Sequence, residues 1–62
     1  MFRIKFHTWD FEGNKKVKVV KELVGTVINE TPGQIRFRPL NETYCYVINK
    51  SKIVSLKTIE NF

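Results

Sequence analysis

Alanine is absent from this 62-residue chain, and the strong helix formers Leu and Met together fill only four positions. That shortage argues against a helical domain. Cysteine occurs once, as Cys45, so no disulfide can form within the chain. Histidine also occurs once, as His7, and one Cys with one His cannot complete the four-ligand set of a structural zinc site. No cofactor is expected. No apolar run approaches the length needed to span a bilayer, so no membrane association is expected. Met1-Phe2-Arg3-Ile4-Lys5 alternates apolar and charged residues, whereas a signal peptide needs a continuous apolar segment. The lack of disulfides fits a reducing compartment, and a cytoplasmic location is the expectation.

What the chain does have is β-branched side chains. Val, Ile and Thr fill 18 of the 62 positions. Such residues are stiff at χ1, which suits a pleated strand and costs a helix entropy. One small all-β domain, residues 1–62, is the expectation. A chain this short buries only about 60% of its unfolded surface. Stability must then come from sheet packing and the eight aromatics, or from self-association.

Period-two alternation marks the strands. Phe2, Ile4 and Phe6 alternate with Arg3, Lys5 and His7, and Glu12-Gly13-Asn14 reads as a turn into Lys16-Val17-Lys18-Val19. Val20 breaks the alternation, which resumes at Leu23, Gly25 and Val27. This predicts one long bent strand with a bulge near Lys21-Glu22. The same stretch also carries Val17, Val20, Leu23, Val24 and Val27 at helical spacing, with Asn14 and Gly25 as caps, so an α+β alternative has a short helix at about 15–24. The four valines between 17 and 24 favour the strand. Thr31-Pro32-Gly33 predicts a tight turn, with Pro fixing φ and Gly supplying a positive φ. Strands follow at 34–38, with Ile35 and Phe37 inward, at 43–48 and at 53–59, with 49–52 as a short turn and 60–62 trailing off. Asn followed two residues later by Thr or Ser recurs at Asn29, Asn41 and Asn49. Side-chain bonding to nearby backbone at strand ends accounts for it better than glycosylation.

Val17-Lys18-Val19-Val20, Leu23-Val24-Gly25-Thr26-Val27, Gln34-Ile35-Arg36-Phe37 and Tyr44-Cys45-Tyr46-Val47-Ile48 follow one another in an order that resembles an SH3-like small β-barrel. The segment 49–56 looks like the one-turn connector and closing strand of such barrels. The cadence is similar to KOW-type and Sm-like domains. The resemblance implies a five-stranded antiparallel barrel, with residues 1–14 as an extra N-terminal strand, and by analogy a domain that binds RNA, DNA or protein.

Catalysis finds little support. A nucleophilic pair would have to be Cys45 with His7, and Cys45 shares an alternating strand with Val47, where it reads as a small core residue. The six acids are scattered and read as solvated turn residues. No enzyme is expected. The net charge of +5 instead favours polyanionic partners, and residues 1–21 carry six Lys/Arg against two acids. Alternation points Arg3, Lys5, His7, Trp9, Lys16, Lys18, Arg36 and Arg38 outward. With Cys45 and Val47 inward, Tyr44 and Tyr46 also reach the surface. The opposite phase would put Tyr44, Tyr46 and Ile48 inside. Trp9 would stand beside the cations as a stacking platform, or fold over one end of the barrel as a lid.

The expected function is non-catalytic binding of RNA or single-stranded DNA. Arg3, Lys5, Lys16, Lys18, Arg36 and Arg38 would meet phosphates, and Trp9, Tyr44 and Tyr46 would stack. The alternative is a protein-interaction module, a small regulator or inhibitor that docks an acidic protein. A short lysine-rich barrel of this kind would suit a phage or mobile-element product. An exposed edge strand would also allow pairing with a second copy.

Overall fold

Alternating apolar and charged side chains along the first half of the chain give two strands that pair residue for residue. In the computed structural model, which describes residues 1–59, β1 (Phe2–Glu12) and β2 (Lys15–Glu30) form an antiparallel hairpin. Its register runs from Phe2 opposite Gly25 to Glu12 opposite Lys15. The two-residue loop Gly13-Asn14 closes it. Gly13 has φ 63°, and among the described residues no other type has a positive φ. A left-handed first loop residue gives the type II′ turn, whose twist matches that of the flanking strands.

β3 (Gln34–Pro39), β4 (Tyr46–Asn49), a 3-10 turn (Lys50–Lys52) and β5 (Ile53–Thr58) complete the domain. The strands form one antiparallel sheet in the order β4-β3-β2-β1-β5. The protein is therefore all-β, and residues 15–24 are strand. Pairing with β1 across that whole stretch adds ladder hydrogen bonds to the local preference of its valines.

At Gly25 β2 exchanges partners. Before it, β2 pairs with β1; from it onward, β2 pairs with β3, beginning with Gly25 opposite Pro39. The sheet folds over on itself there, so one face of both halves encloses a single core. Ile4 and Phe6 come from β1, Ile35 and Phe37 from β3, and Ile48 from β4. Phe2, Leu23, Val27, Tyr46 and Ile53 pack around them. Ile4 and Phe37 are wholly buried. The edge strands β4 and β5 do not pair, so the sheet stays open.

Four local expectations need correction. The β1–β2 register is unbroken through Lys21 and Glu22, so there is no bulge there. The phase is held instead, which turns Val20 outward and puts Lys21 on the core side opposite Phe6. The register shifts fall at 27–29 against β3 and beside Lys5/Phe6 against β5. β4 begins at Tyr46, not at 43, and its inward residues are Tyr46 and Ile48. Cys45 and Val47 are exposed, because Tyr46 pairs with Phe37 and Ile48 with Ile35, both core residues. Gly33 lies outside the left-handed region, and its turn is held by Thr31, whose N–H donates to the Gln34 carbonyl at 2.9 Å. Side-chain bonding of the kind expected from the Asn repeat is present at Asn29, whose Oδ1 accepts from the Glu30 N–H at 2.8 Å; Asn49 bonds the Gln34 side chain instead. The trailing segment 60–62 lies outside the described residues.

Candidate nucleic-acid interface

Alternation assigns each side chain of the β1–β2 hairpin to a face, and register then says which side chains are neighbours. Trp9 stands opposite Lys18, Phe11 opposite Lys16, His7 opposite Val20 and Lys5 opposite Glu22. All of these share the outer face with Arg3. Lys57 of β5, opposite Arg3, adds another cation. Asp10, Glu12 and Lys15 fall on the other face. The turn end of the outer face therefore carries Trp9, Phe11, Val20, Lys16 and Lys18 with no carboxylate among them. Nearer the core, Arg3 Nε meets Glu22 Oε1 at 2.9 Å, the one ion pair on this face among the described residues.

The hairpin also projects. β5 pairs with β1 only from Phe2 to Phe6, and β3 pairs with β2 only from Gly25 onward. Residues 7–12 and 15–20 are thus a two-stranded ribbon with both edges unpaired. The strand rise puts Arg3 and Phe11 roughly 26 Å apart along this stripe. Trp9 is 50% exposed and Phe11 74% exposed. The Lys16 ammonium lies 5.0 Å from the centre of the Trp9 ring. This cation–π contact holds the ring upright on the surface, where a lid over the barrel end would have buried it.

The sheet brings together Arg3, Lys5, Trp9, Lys16 and Lys18. Arg36 and Arg38 lie far from Lys16 and Lys18, although Arg38, opposite Thr26, is only two residues along β2 from Val24, the partner of Arg3. They are exposed on the outer side of β3, Arg36 beside Asn29 and Arg38 beside Thr26. Along β2, Lys18 and Asn29 are separated by roughly 36 Å of extended strand, while the molecule's longest dimension is 39 Å. The fold at Gly25 also turns that half of the outer side in another direction.

Tyr44 and Tyr46 form a third group. Tyr44 is exposed in the β3–β4 loop, and its ring centre lies 5.6 Å from that of Tyr46. Tyr46 packs edge-on against core Phe6, with ring centres 6.5 Å apart. The Lys21 ammonium lies 5.1 Å from the centre of the Tyr46 ring and donates to its hydroxyl at 3.3 Å. Tyr44 and then Lys21, by hydrogen bonding, favour the Tyr46 phenolate and lower its pKa. The same pairing with Tyr46, followed by desolvation and the Glu42 charge, pushes Tyr44 up to about 12.

Reading by residue type alone left out Phe11, Lys57 and Lys21. Phe11 had a signal: it continues the parity of Arg3, Lys5, His7 and Trp9. Among the described residues no three His, Cys, Asp or Glu side chains gather as a metal would require, and no helix is long and apolar enough to cross a membrane. No family model, curated protein or solved structure matches the chain.

Proposed function

We propose that this chain is a non-catalytic nucleic-acid-binding domain, an SH3-like barrel with an open side, that holds RNA or single-stranded DNA on the outer face of β5, β1 and β2. The observation that carries this reading is the juxtaposition of Trp9 and Phe11 with Lys16 and Lys18 on the projecting hairpin. Exposed rings stack on bases whatever their sequence, and adjacent ammonium groups neutralise the phosphates between them. Arg3, Lys5 and Lys57 extend the cationic track towards the core. Among the described residues there is no helix to read a groove, so selectivity for sequence is modest. The 3-10 turn between β4 and β5 supports the barrel reading, since it stands where such barrels have their one-turn connector. Titrating labelled single-stranded RNA, single-stranded DNA and duplex DNA, followed by fluorescence anisotropy at low and near-physiological salt, tests the function. Saturable binding to the single strands is the expected result, and no binding to any of them overturns it.

A second reading has an observation of its own. Trp9, Phe11 and Val20 also make a compact apolar patch rimmed by Lys16 and Lys18, the form of a site for an acidic protein. Binding to a protein partner that ignores oligonucleotides and depends on Phe11 would favour it. The unpaired edges of the hairpin and of β4 would serve such a partner, including a second copy of this chain.

A further inference from the structure

A cleft of about 190 Å³ opens on the unclosed side of the sheet, between the edge of β1 at Phe6, His7 and Thr8 and the edge of β4. Its polar lining is His7, Thr8, Lys21, Tyr46, Asn49 and Lys52, with no carboxylate. The ion pairs among the described residues are Arg3–Glu22 and Lys50–Glu30, so neither Lys21 nor Lys52 has a carboxylate partner among them. Lys21 also occupies a core-side position, opposite Phe6, where an apolar residue would serve packing better. The Asn49 side-chain oxygen accepts from Gln34 Nε2 at 3.1 Å, which leaves the Asn49 amide nitrogen to donate elsewhere.

We propose that this cleft receives the terminal phosphomonoester of a single nucleic-acid strand, with Lys21 and Lys52 as its counter-charges and Thr8 and Asn49 as neutral donors. The proposal rests on the nucleic-acid reading and adds recognition of a strand end. Three observations lead to it. The first is size: sites for whole small molecules run from about 300 Å³ upward, so this cleft fits a headgroup. Charge is the second. A phosphomonoester carries about −1.5 to −2 near neutral pH, against one unit for a backbone diester, and two ammonium groups with no carboxylate partner among the described residues discriminate in favour of the former. The third is continuity. A neighbouring depression of about 120 Å³ is lined by Trp9, Lys18 and Ser51 and shares His7, Thr8 and Lys52 with the cleft. A strand stacked on Trp9 therefore passes over the unpaired β1 edge at His7-Thr8 and ends in the cleft. Stacking within the cleft is not required of Tyr46, because Lys21 covers its ring and Tyr44 stands beside it.

The test uses the full chain and one short single-stranded sequence in three forms: 5′-phosphate, 3′-phosphate and hydroxyl at both ends. Anisotropy competition gives the affinity of each. The expected result is that one phosphorylated form binds about tenfold tighter than the hydroxyl form, the scale of one charge-assisted contact. That ratio falls to about one in Lys21→Met and in Lys52→Met. Equal affinity for all three forms, or an advantage that survives both substitutions, overturns the proposal while the hydroxyl form's binding leaves the broader reading standing. If no oligonucleotide binds, the broader reading fails. In that case amide shifts on titration with inorganic phosphate decide for the cleft: perturbation centred on Thr8, Lys21 and Asn49 supports it as a phosphate site, and no perturbation there overturns it.

Discussion

A Cβ atom on residue 25 would sit 2.0 Å from the carbonyl oxygen of Arg38, so Gly25 and the Arg38 backbone occupy space that no other side chain can share. The approach is close because β2 turns from β1 to β3 at this point, where Gly25 faces Pro39, the residue after Arg38. The obstacle is main chain, which cannot swing aside as a flexible side chain would. Gly25→Ala is expected to cost about 3 kcal/mol or more. A domain of this size has roughly 3–9 kcal/mol in total, so the variant loses much of its folded population. Urea unfolding followed by tryptophan fluorescence checks this, and a midpoint within error of the parent would contradict the pivot role.

Phe11 separates binding from stability more cleanly than any core residue. Its ring is 74% exposed, so Phe11→Ala is expected to change unfolding free energy by no more than about 0.5 kcal/mol. Affinity for a single strand should fall by about 1–3 kcal/mol, the range for one base stacked on one ring. Trp9→Ala should weaken binding similarly. Isothermal titration of each variant beside its unfolding curve distinguishes this from general loosening of the hairpin, in which stability and affinity would fall together.

Alkaline titration should resolve the two tyrosines. The Tyr44 hydroxyl and the Lys21 ammonium stabilise the Tyr46 phenolate, so Tyr46 ionises first, below the ordinary value of 10.0. Tyr44 follows at about 12. Removing the ammonium by Lys21→Met should move the first step upward. Phenolate absorbance against pH, with Tyr44→Phe and Tyr46→Phe to assign the steps, gives the order. A single step at the ordinary tyrosine value would contradict the pairing.

The hairpin and β3 were legible because period two fixes which side of a strand each residue takes. Phe2, Ile4 and Phe6, and later Ile35 and Phe37, face the interior as alternation requires. β4 was not legible in the same way. In Tyr44-Cys45-Tyr46-Val47 both phases are apolar, so hydropathy cannot choose between them, and the choice is made by Phe37 standing opposite Tyr46. At Val20-Lys21 the pattern breaks but the backbone does not. The β1–β2 register spans eleven residue pairs, and Val20 is exposed to keep it. Alternation also placed every predicted phosphate contact on an outer face. It could not show that the sheet folds at Gly25 and sets Arg36 and Arg38 apart from Lys16 and Lys18, because parity carries no information about which strands neighbour or where a sheet bends.

That separation allows the most direct test of the account, the salt dependence of single-strand binding in two double variants. Lys16→Ala with Lys18→Ala should weaken binding and lower the slope of log affinity against log salt by about 1.4, two phosphates at roughly 0.7 each. Arg36→Ala with Arg38→Ala should leave both affinity and slope as in the parent. If the arginine pair carries the slope and the lysine pair does not, the outer face of the β1–β2 hairpin is not the interface, and the account is wrong.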